Sequence, residues 1–360
     1  MEFERGAPLD EARALAREAF ARVRRGDPDS AIEACDDALG LLLPAGPSDV
    51  LADVLRWKGT VLRDRGNHAV ASELFSQSLA VAESLGYQSG RAHALNCLGT
   101  VAQVRGDLPA AERWYGEAAR LAHRLADRRL SGMVQQNLGV LADVQGRTDE
   151  AIAHFRLALA AFEQEEQADA ALWVLNNLGV LYTREGATAR ALDTLDRALA
   201  LSERLGDVTS EGIVEENRSA LFIAMGRLDA AELAATRAFG VAEQRRDNAR
   251  RAAALRAFAR VTRARDPKSP QALTVLERAA ALAELTEDVL LRVEVLTELG
   301  DSCRDRGETS RARESWRRAL ELARLAGFAG LARDIQARLR RPSNAGADAT
   351  DTGPASEATT

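Results

Sequence analysis

The chain has 360 residues, with 46% hydrophobic but only 4% aromatic side chains, and a formal net charge of −6. An acidic balance of this kind gives no broad electrostatic footprint for nucleic acid. No stretch approaches the roughly 20 apolar residues of a membrane span, and MEFERGAPLD carries acids where a signal peptide would carry an apolar run, so the expectation is a cytoplasmic protein without membrane contact.

In chain order, residues 1–9 read as an N-terminal extension and 10–25 as a first helix of weaker pattern, with Glu18 where later copies carry Leu. A terminal repeat is atypical because one of its faces meets water. The turn Gly26-Asp-Pro-Asp-Ser30 restarts the chain, with Ser30 or Asp29 as the expected N-cap, and PAGPS at 44–48 reads as a longer connection. The clearest copy spans 172–201. Its Leu175, Leu178, Gly179 and Tyr182 keep to one side of a helix, and Ala191, Leu195 and Ala198 form a stripe on the next. Gly186 falls between them, where a left-handed residue closes a helix at no steric cost. Gly179 and Ala191 are small on the sides expected to meet, which predicts a close backbone approach.

The copy at 212–252 has Arg218-Ser219 in place of Leu-Gly, and Asp266 to Pro270 replaces the glycine turn in the copy after it. The last full copy, 293–332, regains Leu299, Gly300, Gly307 and Trp316. Residues 328–341 read as a capping helix with Arg333, Asp334, Gln336 and Arg340 on its polar side. From Pro342 to Thr360 apolar periodicity ends, and a disordered tail is expected.

The turn glycines recur at Gly26, Gly66, Gly106, Gly146, Gly186 and Gly226, then at Gly307. A small residue opens each second helix (Ala31, Ala71, Ala111, Ala151, Ala191, Ala231, Ala272, Ala312), and four residues later most copies carry a bulky or apolar side chain: Cys35, Phe75, Tyr115, Phe155, Leu195, Leu276, Trp316, though Ala235 is small. Units fall near 12–51, 52–91, 92–131, 132–171, 172–211, 212–252, 253–292 and 293–332. The fold class expected is all-α: over 10–341, a right-handed α-solenoid of about eight antiparallel helix-turn-helix units with a C-terminal capping helix.

With Asn-Leu-Gly at 137–139 and 177–179 and Cys-Leu-Gly at 97–99, the unit resembles the tetratricopeptide repeat, in the longer-helix form of kinesin light chain and of bacterial regulators. The resemblance covers roughly residues 10–340. It implies a chain that holds a protein or peptide, and because the matching residues are structural ones it leaves the partner open.

Candidate binding residues come from the first-helix side left over by the core. The position two before the small slot lies about 200° round the helix from it, and carries Trp57, Cys97, Asn137, Asn177 and Asn217 in successive copies. Asn96 and Asn176 sit on the adjoining edge, with His93, Met133, Trp173 and Arg184 bordering the same groove. Each asparagine amide offers one acceptor and two donors, a match for a peptide backbone held without reading its side chains. The same amides serve equally well to brace neighbouring helices.

Enzyme signatures are missing: His68, His93, His123 and His154 occur singly, and neither a phosphate-binding glycine loop nor Gly-x-Ser-x-Gly is present. The adjacent acids Glu165-Glu166 and Glu215-Glu216 are expected to face water. Cys35, Cys97 and Cys303 are too scattered for a disulfide framework or zinc knuckle, and Cys35 and Cys303 fall on core slots. No cofactor or metal is implied. The expectation is a non-enzymatic scaffold, monomeric or weakly self-associating, that holds a peptide or helix in its concave groove; the alternative is a sensor module that switches when a ligand or partner docks.

Overall fold

The computed structural model describes residues 6–25, 28–286 and 288–340, and all regular structure among them is helical. The turn expected at Gly26 and the tail expected from Pro342 lie outside the described residues. The chain divides into two compact units, up to Leu181 and from Tyr182.

In the first unit the helices pair as hairpins: α1 (Gly6–Arg25) with α2 (Pro28–Ala45), α3 (Asp49–Asp64) with α4 (His68–Ser84), α5 (Gln88–Val104) with α6 (Leu108–Arg124), and α7 (Arg128–Val144) with α8 (Thr148–Gln164). The first helices also touch in a row, α1 on α3, α3 on α5 and α5 on α7. Helix α9 (Ala168–Arg184) follows and carries the boundary near its end. In the second unit α10 (Thr188–Leu205) packs on α11 (Val208–Ala224), which pairs with α12 (Leu228–Arg245). Two further hairpins, α13 (Asn248–Arg265) with α14 (Pro270–Glu284) and α15 (Val289–Asp305) with α16 (Thr309–Leu325), lead to a final helix, α17 (Ala329–Arg340). Here too α11 touches α13 and α13 touches α15.

The turn glycines do what the spacing predicts. Gly66, Gly106, Gly146, Gly186, Gly226 and Gly307 have φ between 70° and 80°. The next residue's N–H reaches back five positions, as from Asn67 to the Leu62 carbonyl at 2.8 Å, which satisfies a carbonyl the helix end would otherwise leave without a partner. The turns between hairpins use the same left-handed geometry at Gly86, Gly206 and Gly327, but also at Ala126, Glu166 and Arg246. That recurrence was not apparent in the sequence, because half of those positions are not glycine.

In four copies other than that at 172–201, the slot glycines make room for a ring. A Cβ on Gly59 would lie 2.6 Å from the Phe75 ring, one on Gly99 2.5 Å from Tyr115, one on Gly139 2.9 Å from Phe155 and one on Gly300 2.5 Å from Trp316. In these hairpins the glycine seats the aromatic ring of the second helix. Where the slot holds Ser219, the equivalent second-helix residue is Ala235, and both are fully buried. The Ser219 hydroxyl donates to the Ala231 carbonyl at 2.9 Å, so the departure from Leu-Gly is satisfied internally. The alanines opening the second helices, Ala71 through Ala312, are at most 1% exposed.

Three boundary expectations change. Helix α1 begins at Gly6, inside the stretch read as an extension. Helix α2 begins at Pro28, so Asp29 and Ser30 lie in its first turn and neither is the N-cap; a proline at the first helical position gives up an N–H that would have no helical partner there. Pro44 lies within the last turn of α2, which shortens the PAGPS connection to residues 46–48. After α13, the Lys268 N–H donates to Asp266 Oδ1 at 2.9 Å, a side-chain-closed turn that replaces the glycine.

Candidate functional site

In the first unit the expected binding positions are graded by burial. Asn137, Asn177, Cys97, Trp57, Met133 and His93 are half-buried, and Trp173 is exposed. Asn96 and Asn176 are buried, only 4% and 6% exposed, so they are less accessible than the groove edge expected for them. One step along a helix turns a side chain by about 100°, enough to carry these two towards the packed side. The structure brings two of the amides together: Asn137 Nδ2 donates to Asn96 Oδ1 at 2.9 Å, joining α7 to α5. That bond uses one of the two Asn137 donors.

A second polar group adjoins Trp57. Arg56 reaches Asp53 at 2.8 Å, and its guanidinium lies 5.7 Å from the centre of the Trp57 ring. The Tyr87 hydroxyl donates to the other Asp53 oxygen at 3.3 Å. Burial and the Arg56 charge push His93 down to about 4, so its imidazole is neutral at physiological pH. Burial pushes the half-buried Cys97 thiol up, while Cys35 and Cys303 are core residues as expected.

Arg184 and Asn217 belong to the second unit. Arg184 is exposed and Asn217 half-buried on α11. The same helix buries an acid that the sequence pattern had placed in water. Glu215 is 1% exposed and accepts from Arg218 at 2.9 Å and Arg237 at 3.2 Å; Arg218 also meets Asp196 at 3.0 Å. The neighbouring Glu216 is half-buried, and burial pushes its carboxyl up to about 7 against the pull of Arg250 and Arg256. Only the Glu165-Glu166 pair is exposed as expected. On the next helices Arg256 meets Glu294 at 2.5 Å, and Arg263 meets Asp305 at 2.5 Å. Among the described residues no group of three His, Cys, Asp or Glu side chains is arranged to hold a metal, and no helix is long and apolar enough to cross a membrane.

The tetratricopeptide repeat family model matches residues 90–164 and 144–204, which run from α5 into α10. Over residues 90–204 the chain is built of tetratricopeptide repeats. No curated protein matches it by sequence. Solved structures share its fold at low identity. The apo form of the quorum sensor NprR from B. thuringiensis superposes with a TM-score of 0.68 at 14% identity, over 86% of this chain and 87% of that one. A Rap protein complexed with Competence and Sporulation Factor gives 0.61 at 15%, over 92% and 96%. Aspartyl phosphate phosphatase F from Bacillus subtilis gives 0.61 at 10%, over 86% and 93%. At these identities the likeness is one of repeat architecture.

Proposed function

We propose that this chain is a non-enzymatic scaffold that holds a peptide segment of a partner on the first-helix face of its repeats. The observation carrying this reading is the set of half-buried Asn137 and Asn177 beside half-buried Met133 and exposed Trp173 in the first unit. Amides of this kind hold a peptide backbone, and the apolar side chains bordering them supply desolvated contact. A Rap protein of the same fold was solved with Competence and Sporulation Factor bound, which supports a protein or peptide as the ligand class. The net charge of −6 argues against nucleic acid as a partner.

The test is capture of clients from native cell extract by the wild type beside Asn137→Ala/Asn177→Ala, with both proteins matched in helicity. A client retained only by the wild type, and cross-linked to α7 or α9, supports the reading. Equal retention, or cross-links on the second helices, overturns it. The likeness to the quorum sensor NprR favours a second reading, a module that switches when its ligand docks; a change in small-angle scattering on client binding would distinguish it from a passive scaffold.

A further inference from the structure

We propose that three leucines of the second unit, Leu285, Leu290 and Leu325, form the centre of a two-fold contact between two copies of this chain. They are 71%, 43% and 80% exposed. Leu285 follows the last turn of α14, Leu290 lies in the first turn of α15, and Leu325 ends α16. The fold gathers them at one end of the last hairpin. The Trp316 indole N–H donates to the Thr297 carbonyl at 3.2 Å, which fixes the level of α15 against the antiparallel α16. Counting back from Thr297 to Leu290 and equally far on from Trp316 reaches Ala323, so Leu290 and Leu325 differ in height by only about 3 Å. Arg318 of α16 meets Glu284 at 2.6 Å, which brings the Leu285 end of α14 alongside. Single exposed leucines are ordinary on a protein surface, whereas several at one place mark a contact.

The repeat does not require leucine at these places. Counted from the alanine that opens each second helix, the position of Leu285 and Leu325 carries Ser84, Arg124, Gln164, Arg204 and Gln244 in the five preceding copies. All five are exposed and polar, as a solvated helix end demands. Only the last two copies turn that position apolar and leave it bare. The rim of the patch identifies what covers it. Glu321 and Arg324, three residues apart on the exposed side of α16, make no ion pair among the described residues. A two-fold contact sets a patch against itself, so Arg324 then meets the partner's Glu321, and the reverse pair forms with it. A rim carrying both signs complements a second copy, whereas an anionic lipid surface would be repelled by Glu321 and Glu284. Three leucines fall well short of the roughly 800 Å² per partner that a stable complex buries, so the association is weak and concentration-dependent.

The test is sedimentation equilibrium of the full chain over a concentration series reaching the millimolar range. The average mass should rise from one chain to two and stop there, with a Kd on the order of 100 µM. Leu285→Gln/Leu325→Gln should weaken association at least about tenfold, with unchanged melting because both side chains are exposed. Glu321→Arg and Arg324→Glu should each weaken it alone, and an equal mixture of the two variants should associate again, because each then offers the charge the other lacks. A wild type that stays monomeric throughout overturns the proposal, as does association that survives the double leucine change. Mass that keeps growing past two chains rules out a closed two-fold contact. If the wild type is monomeric but the double leucine variant loses a client captured by the wild type, the patch serves a different protein and the second copy is excluded. Charge variants that associate no better mixed than alone overturn the pairing of Glu321 with Arg324 and the two-fold register built on it.

Discussion

Asn137 donates its side-chain amide to the Asn96 carbonyl oxygen at 2.9 Å, tying neighbouring first helices together through two residues 41 positions apart. The bond gives Asn137 a structural share that Asn177 need not have. Asn137→Ala leaves the buried Asn96 oxygen without that donor and should lower unfolding free energy by about 1–3 kcal/mol. Urea unfolding of Asn137→Ala and Asn177→Ala separates the roles. Asn177→Ala is expected to melt near wild type while losing clients. If both variants are equally destabilised, the series is bracing rather than a binding face.

The left-handed turns between hairpins predict a gain rather than a loss. Ala126, Glu166 and Arg246 are exposed and have φ between 51° and 54°, a conformation glycine adopts without Cβ strain. Replacing each by glycine should stabilise by a few tenths to about 1 kcal/mol, the relieved strain being partly offset by the greater freedom of glycine in the unfolded chain. Thermal melts of the three single variants and the triple check this. A lower melting temperature in all of them would mean that these turns tolerate a Cβ without cost.

The hairpins could be read from the sequence because their determinants are local and repeated: Gly66, Gly106 and Gly146 stop first helices, and buried alanines open the second ones. The seating of Phe155 on Gly139 was half legible, since both positions stood out but the reason for the glycine needed the ring in place. The buried charges were not legible. Glu215 looks like a surface acid until Arg218 and Arg237 are brought to it from other positions, one of them on the following helix. Asn96 and Asn176 fell on the edge of the expected face, where a single 100° step decides between groove and core. Leu285 and Leu325 stand where earlier copies carry Ser84 or Arg124, but that they are left bare needed the structure.

The ring-on-glycine arrangement predicts coupling. A methyl group on Gly139 would meet Phe155 ring atoms at 2.9 Å, so Gly139→Ala should cost roughly 1–3 kcal/mol through overpacking. The Ser219 and Ala235 pair shows the alternative solution, a larger slot residue with a smaller partner. Combining Gly139→Ala with Phe155→Leu should therefore cost less than the sum of the single changes. A double-mutant cycle by chemical denaturation reads the difference, and strict additivity would show that the two side chains do not compete for space.

Glu216 should make stability depend on pH in the opposite sense to a salt-bridged carboxylate. Burial raises it from 4.5 to about 7, with Glu294 and Asp247 adding to the push and Arg250 and Arg256 opposing it. Between those values the folded chain keeps a proton that the unfolded chain has released. Proton linkage then makes this group's contribution fall as pH rises through that window and level off above it. Glu216→Gln cannot titrate, so its stability relative to wild type should improve from about pH 5 to about pH 7 and then hold constant. Urea unfolding of both proteins across that range gives the comparison. Parallel curves would place the Glu216 carboxylate in contact with water or fully satisfied by Arg250 and Arg256, whereas divergence confined to that window would identify a carboxyl that the repeat packing holds protonated.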